Sequence, residues 1–175
     1  LSFADYHALW RWSTESGKRE EEYPGHDGLV YAIALSADGK HVAAIRGMNE
    51  IVLIPAEGGF PKVLFKGNFV DSLQGAIPFS WSPDSKWLAI DSATDRGSNV
   101  ILKNIETGKE VTIAQLAHGA NTSPKFLPNG RGVYFTATEF DNPDLFVVDL
   151  VPADLTFSED DLDRIDNPKA ARPTA

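Results

Sequence analysis

The chain of 175 residues contains no cysteine. A disulfide framework and a metal site with thiolate ligands are therefore excluded, because both need cysteine sulfur. The absence of cysteine also leaves the cellular compartment open, because it gives no information about redox conditions. We predict a cytoplasmic location, with the periplasm as the alternative.

Long apolar runs and an excess of basic residues are also missing. No apolar stretch approaches the roughly 18 residues that a membrane-spanning helix requires, so the sequence predicts no membrane span. Acidic residues outnumber basic residues by 25 to 16, and the net charge of -9 opposes binding to the phosphates of nucleic acid. The hydrophobic fraction of 42% is sufficient for a buried core. We therefore predict a globular protein without a nucleic acid partner.

Familiar motifs for catalysis and ligand binding are absent from the sequence as well. It contains no Gly-x-Ser-x-Gly elbow, no His-Glu-x-x-His motif and no glycine-rich phosphate loop. The acidic run at residues 159–166 lacks the glycine and the closing glutamate of a calcium loop, so we interpret it as a solvated face. Asp91 and Asp95 flank a predicted hairpin and are interpreted as exposed loop acids. The sequence thus predicts no catalytic residue, no cofactor and no metal site in this chain.

One short sequence motif, which we call the phrase, occurs three times in the sequence. In each copy, two short apolar runs meet at a turn. The turn residues are Asp38-Gly39, Pro83-Asp84 and Asn129-Gly130. The turns lie about 45 residues apart, which is the repeat length of four-stranded propeller blades. Each phrase is typical of a β-hairpin, because aromatic and β-branched residues flank residues that favour turns. The predicted fold is all-β, a β-propeller of four-stranded antiparallel blades.

The middle phrase shows why these residues turn the chain. Pro83 fixes φ for the second position of a type I turn, and Asp84 can accept hydrogen bonds from the backbone that follows it. Ser85 is then predicted to adopt a left-handed conformation. Trp81 is predicted to pack between blades, and Trp87 is predicted to be partly exposed. We interpret the turn residues of all three phrases as structural.

The repeat divides the chain into a propeller portion and a tail. Residues 1–157 are predicted to form the propeller, and residues 158–175 an acidic linker or tail with few large apolar groups. Residues 158–165 have an alternative interpretation as a short helix. The predicted blades are residues 8–24, which form a partial blade, and residues 30–68, 73–116 and 121–157.

The terminal blades differ from the two complete ones. The first contributes two strands joined by a turn around Gly17, which matches the turn around Gly108 in sequence. Only residues 155–157 could supply a fourth strand to the last blade. The second complete blade has predicted strands at residues 77–82, 86–91, 99–105 and 110–114. Because the chain also begins without Met, we expect a piece of a longer protein, whose remainder or other chains complete the propeller.

The three phrases resemble the WD40-like repeat found in the propellers of TolB and of tricorn-type peptidases. The resemblance covers about residues 9–150, and the third strands at residues 99–105 and 144–150 are more similar to the tricorn-type serine peptidases. Three positions depart from the Pro, Gly and Asp of the repeat, namely Ala37, Ser85 and Asn129. These departures bear on the choice of family and leave the propeller prediction unchanged.

Two histidines also have a counterpart in this resemblance. Gly25-His26 resembles the dipeptide that precedes the inner strand of WD40 blades, and His118 occupies the same position two repeats later. The two imidazoles could face the central channel as ligands or proton-transfer groups. The alternative, which we favour, is that each histidine forms hydrogen bonds within its own blade and fixes a turn.

The resemblance implies a function that needs no chemistry in this chain. It implies the non-catalytic propeller portion of a tricorn-like serine peptidase, which acts on peptides and uses the propeller as a substrate filter, channel or docking platform. The alternative is a TolB-like protein-interaction propeller without enzymatic activity. An independent enzyme with its active site in the channel mouth is disfavoured, because no acid, base or metal cluster recurs there. Fold alone does not decide among these functions.

Overall fold

A computed structural model describes residues 9–24, 30–69, 77–95, 97–116, 123–139 and 142–150. Within those ranges the chain consists of β-strands joined by turns and short connections. His26, His118, residues 155–157 and residues 158–175 lie outside the described residues. The described ranges contain no helix with the length and apolar character that crossing a membrane requires.

In the described residues, thirteen strands form four antiparallel sheets, which follow one another in chain order. Sheet I contains β1 (Leu9–Trp12) and β2 (Arg19–Tyr23). Sheet II contains β3 (Val30–Leu35), β4 (His41–Arg46), β5 (Glu50–Pro55) and β6 (Lys62–Lys66). Sheet III contains β7 (Phe79–Trp81), β8 (Trp87–Thr94), β9 (Gly97–Asn104) and β10 (Glu110–Leu116). Sheet IV contains β11 (Lys125–Phe126), β12 (Gly132–Glu139) and β13 (Asn142–Asp149).

Within each sheet, every strand pairs with its neighbours in the sequence. This order follows from the short turns, several of which need a residue with positive φ. Gly17 and Gly108, which were predicted to occupy matching turns, have φ of 63° and 71°. The prediction of an all-β fold with four-stranded antiparallel sheets is therefore confirmed.

The part of the chain that the structure describes has three apolar cores between consecutive sheets. In β4, Val42 and Ala44 pack toward sheet I, whereas Ala43 and Ile45 pack toward sheet III. A third core joins sheets III and IV around Val133. Because successive residues of a strand point to opposite faces, consecutive apolar residues bury a sheet on both faces. The sheets therefore stack face to face, which is the arrangement of propeller blades.

The strand boundaries in sheet III differ from the prediction. The predicted first strand, residues 77–82, contains only Phe79–Trp81 as strand. The predicted second strand, residues 86–91, continues to Thr94, which pairs with Gly97. The polar sequence of this extension favoured a loop, but the hairpin continues, and Ser98 Oγ on β9 donates to the buried carboxylate of Asp91 on β8.

Candidate functional site

The first hairpin of sheet II contains a hydrogen-bonded turn. Ser36 Oγ donates to Asp38 Oδ1 over 2.6 Å, and the same carboxylate oxygen accepts the N–H of Lys40 over 3.0 Å. The N–H of His41 donates to Ser36 Oγ over 2.9 Å. The two short side chains thereby satisfy backbone donors that the turn would leave unpaired.

Sheet III repeats this turn with the same chemistry. Ser82 Oγ donates to Asp84 Oδ1 over 2.5 Å, and the N–H of Lys86 donates to the same oxygen over 3.1 Å. The N–H of Trp87 donates to Ser82 Oγ over 2.9 Å. Ser85 has φ of 60°, which confirms the predicted left-handed conformation.

The turn of sheet IV keeps the backbone geometry with different side chains. Asn129 Oδ1 accepts the N–H of Arg131 over 2.9 Å, and Leu127 stands where the other two turns have serine. Gly130 has φ of 70°, close to the value at Ser85. The amide of Asn129 therefore replaces the carboxylate of the other turns.

The two turn aspartates are ionised at neutral pH. The hydrogen bond from Ser36 is the main cause that lowers the pKa of Asp38 below its ordinary value, and the N–H of Lys40 adds to it. Burial acts to raise the pKa of Asp84, but hydrogen bonds from Ser82 and the N–H of Lys86 outweigh it and lower that pKa overall. Each turn thus presents a carboxylate.

Side chains of sheet III form hydrogen bonds with sheet II. We call the contact between these two sheets interface II–III and the contact between sheets III and IV interface III–IV. Trp81 Nε1 donates to the carbonyl oxygen of Ala34 over 3.0 Å, and the indole stacks on His41 with ring centroids 6.5 Å apart. The N–H of Asp38 donates to Ser85 Oγ over 2.9 Å. Trp81 is half-buried against the core between these sheets, which confirms that it packs between them.

The interface III–IV has different residues at the corresponding positions. Phe126 stands where sheet III has Trp81, and its ring has no N–H to donate. Gly130 stands where sheet III has Ser85, and it has no hydroxyl. A Cβ atom built on Gly130 would lie 3.8 Å from Cδ of Pro83, in ordinary contact distance. The two cross-sheet hydrogen bonds of interface II–III therefore cannot form at interface III–IV.

A cleft of about 510 Å³ opens between sheets III and IV beside these turns. Its apolar walls are formed by Trp87, Leu102, Val111, Ile113, Phe126 and Leu150. Its polar end is formed by Ser82, Pro83, Asp84, Asn129 and Gly130. Trp87 is half-buried, as predicted. This interface cleft combines apolar walls with a few polar groups, a composition typical of ligand sites.

The chain is similar in sequence to parts of other proteins. No family model matches the chain. An uncharacterized protein of Agrobacterium fabrum is 29% identical over 112 residues, which cover 64% of this chain and 33% of that protein. Dipeptidyl-peptidase 5 of Porphyromonas gingivalis is 32% identical over 89 residues, which cover 43% of this chain and 13% of that protein. The chain thus spans about a third of one relative and less of the other.

Solved structures share the fold over most of this chain. A putative TolB from Agrobacterium tumefaciens matches with a TM-score of 0.64 and 23% identity, over 82% of this chain and 52% of its own. TolB from Acinetobacter baumannii matches with a TM-score of 0.66 and 17% identity, over 83% and 35%. The tricorn protease matches with a TM-score of 0.64 and 17% identity, over 96% and 17%. The chain therefore shares the β-propeller fold of these solved structures.

The four sheets are accordingly blades I to IV of a propeller. Six of the turn residues named from the sequence lie in described turns of blades II, III and IV. Four of them line the interface cleft, namely Pro83, Asp84, Asn129 and Gly130. This cleft was not predicted from the sequence, although Phe126 and Gly130 occupy the positions that Trp81 and Ser85 have in the preceding repeat. That pair of differences is the sequence signal of the open interface.

The acids Asp91 and Asp95 lie in different environments of blade III. Asp91 is 7% exposed on β8, and it accepts a hydrogen bond from Ser98 Oγ on β9. Its interpretation as an exposed loop acid is wrong, because the hairpin continues beyond it and buries the carboxylate. Asp95 is exposed, as predicted. Among the described parts of the propeller, no group of three His, Asp or Glu side chains is arranged to hold a metal ion.

Proposed function

We propose that this chain is a non-catalytic portion of the propeller of a tricorn-like serine peptidase, where it admits or docks peptide substrates. The observation that carries the proposal is the match to Dipeptidyl-peptidase 5, at 32% identity over 89 residues. The shared fold with the tricorn protease agrees with a peptidase setting. Because the match takes up 13% of the relative, the peptidase chemistry would reside in other sequence of the parent protein.

A ring of blades supplies the physical basis for this role. Blades arranged around an axis leave an opening whose width is set by the backbone, so it can pass an extended peptide and reject a folded protein. Residues 1–157 would belong to the ring, and residues 158–175 would form an acidic linker. Other blades of the same polypeptide or of other chains would complete it, and the role needs neither a cofactor nor a metal.

A TolB-like interaction propeller without enzymatic activity is the second candidate. It is favoured by the two TolB structures, which share the fold over 82% and 83% of this chain. In this role the rims of the blades would dock a partner protein. We propose a cytoplasmic location for the peptidase, and the periplasm is the alternative that goes with the interaction propeller.

A peptidase assay on the protein encoded by the complete reading frame distinguishes the two functions. We expect the protein to release short fragments from unfolded peptides and to lose this activity when it is treated with a serine-directed fluorophosphonate. A folded, disulfide-stabilised protein should resist cleavage. Cleavage of that folded protein as fast as its reduced, unfolded form would contradict a filtering role. If the protein neither reacts with the fluorophosphonate nor cleaves peptides, the interaction propeller replaces the peptidase proposal.

A further inference from the structure

We propose that the interface cleft binds a peptide segment that presents a large apolar side chain beside a lysine or an arginine. The apolar side chain would enter between blades III and IV, and the cation would pair with the carboxylate of Asp84. The site would serve a peptidase propeller and an interaction propeller equally, because a peptide segment is the ligand in both.

Two residue differences distinguish the interface that holds the cleft from interface II–III. At interface II–III, the indole of Trp81 and the hydroxyl of Ser85 each form a hydrogen bond across the interface. At interface III–IV, a phenyl ring at Phe126 and a hydrogen atom at Gly130 occupy those positions, and both residues line the cleft. The cleft therefore includes space that a larger ring and a hydroxyl would fill.

The walls of the cleft favour an apolar group. Its volume of about 510 Å³ lies within the range of roughly 300 to 1,000 Å³ that is typical of ligand pockets. Val111, on the outer strand of blade III, is 37% exposed although it is apolar. An aromatic or long aliphatic side chain would remove this surface and that of Trp87 and Ile113 from water, which is favourable.

The polar end of the cleft selects for charge. The hydrogen bonds from Ser82 Oγ and from the N–H of Lys86 both end on Oδ1 of Asp84, and the residue is exposed to solvent. Its carboxylate can therefore pair with a lysine or arginine of a ligand, whereas a carboxylate ligand would be repelled. The net charge of -9 also attracts cationic peptides over a longer range.

Asn129 adds a group that recognises a peptide backbone. Its Oδ1 accepts the N–H of Arg131, and within the described residues no hydrogen bond uses the amide nitrogen, which can donate to a ligand. An aspartate, which blades II and III have at this position, offers no such donor. The cleft thus places an N–H donor for a peptide carbonyl beside the carboxylate of Asp84 and the apolar walls.

Fluorescence anisotropy with three labelled peptides tests the proposal. The peptides are acetylated and carry Arg-Phe, Glu-Phe or Arg-Ala, followed by a glycine spacer and fluorescein, and the protein is expressed from the complete reading frame. We expect Arg-Phe to bind at least about 10-fold more tightly than either of the others, because only it satisfies both the walls and the carboxylate. Equal binding of Arg-Phe and Glu-Phe would overturn the charge pairing, and equal binding of Arg-Phe and Arg-Ala would overturn the apolar site.

Variants of the cleft locate the binding. The double variant Phe126→Trp with Gly130→Ser rebuilds the residues of interface II–III, and we expect it to weaken Arg-Phe binding at least about 10-fold. Val111→Trp fills the cleft from an exposed position and should also weaken Arg-Phe binding. It therefore tests the same site if the double variant does not fold. Asp84→Asn keeps an oxygen acceptor for the turn and should remove the preference for Arg-Phe over Glu-Phe.

A matched variant in blade II provides the control. Asp38→Asn changes the equivalent carboxylate, which lies in the turn of another interface, so it should leave Arg-Phe binding unchanged. If Asp38→Asn and Asp84→Asn have the same effect, the preference reflects net charge and the assigned pairing is wrong. If the double variant and Val111→Trp bind Arg-Phe as tightly as the wild-type protein does, the cleft is not a peptide site. The same conclusion follows if no peptide binds up to its solubility limit.

Discussion

Ser85 has a strained backbone conformation, and its side chain accepts a hydrogen bond from the neighbouring blade. Its φ of 60° is unfavourable for a residue with a Cβ atom, while its Oγ accepts the N–H of Asp38 from blade II. We expect Ser85→Gly to leave the stability nearly unchanged, because relief of strain and loss of the hydrogen bond are each worth about 1 kcal/mol. Ser85→Val should lower the free energy of unfolding by about 1–3 kcal/mol. Denaturant midpoints measure both, and a Val variant as stable as wild type would contradict the turn geometry.

Trp81 and Trp87 differ in what their rings contact. Trp81 donates across interface II–III to Ala34, so Trp81→Phe should lower the free energy of unfolding by about 1–2 kcal/mol. Trp87 borders the open interface cleft, and Trp87→Phe should cost less. Chemical denaturation of the two variants gives the comparison. Equal losses would show that the hydrogen bond across interface II–III contributes nothing measurable.

Three acidic side chains of the described strands and turns link the stability of the fold to pH. The pKa values of Asp38 and Asp84 are lowered, and that of Glu50 is lowered because Arg46 and then Lys66 donate to it. In acid the unfolded chain binds protons first, so the stabilisation is complete at neutral pH and is lost as pH falls below about 4 through the folded pKa values. We expect unfolding free energy to fall in this window. Asp38→Asn should reduce the slope, and an unchanged slope would exclude Asp38 as a contributor.

The turns of the blades could be predicted from the sequence because their signals are local. Pro83 and Asp84 act on their own torsion angles and on adjacent backbone groups, which the sequence displays directly. The hairpin of β8 and β9 was predicted too short, because Asp91 and Ser98 look like loop residues until the paired strands bring them together. The interface cleft was missed for a similar reason, since it depends on which residues of two separate blades face each other.

Substitution of Asp91 tests how much the buried hydrogen bond between Ser98 and Asp91 stabilises the hairpin of β8 and β9. Asp91→Ala would leave the Ser98 hydroxyl without its acceptor in a buried site, and we expect the free energy of unfolding to fall by about 1–3 kcal/mol. Asp95→Ala is the matched control, because that exposed acid lies at the tip of the same hairpin. Its effect should stay within about 0.5 kcal/mol. Similar losses in both variants would mean that burial of Asp91 does not matter for stability.

Blade IV presents an apolar face that the described residues leave uncovered. Tyr134, Leu145 and Val147 are 36%, 66% and 56% exposed. Tyr134 pairs with Val147 across β12 and β13, while the alternate residues Val133 and Val148 pack toward blade III. The exposed side chains therefore share the opposite face. A face of this kind usually contacts a further layer, which in a propeller is the next blade.

The function of the whole molecule was less predictable than its fold. The repeat length specifies a propeller because it reflects the four strands of one blade. It does not specify what the ring binds, since the same fold serves peptidases and interaction proteins. In addition, the chain spans 52% or less of the solved structures that it matches.

Light scattering of the 175-residue chain on its own tests most directly whether these blades belong to a larger propeller. Because the outer face of blade IV is apolar, we predict a mass above the 19.1 kDa of one chain, with a shift toward 19.1 kDa when Leu145 and Val147 are both replaced by threonine. Threonine keeps the strand propensity while reducing the apolar surface. A wild-type chain that is a monomer of 19.1 kDa and unfolds cooperatively would contradict the proposal that further blades must cover this face.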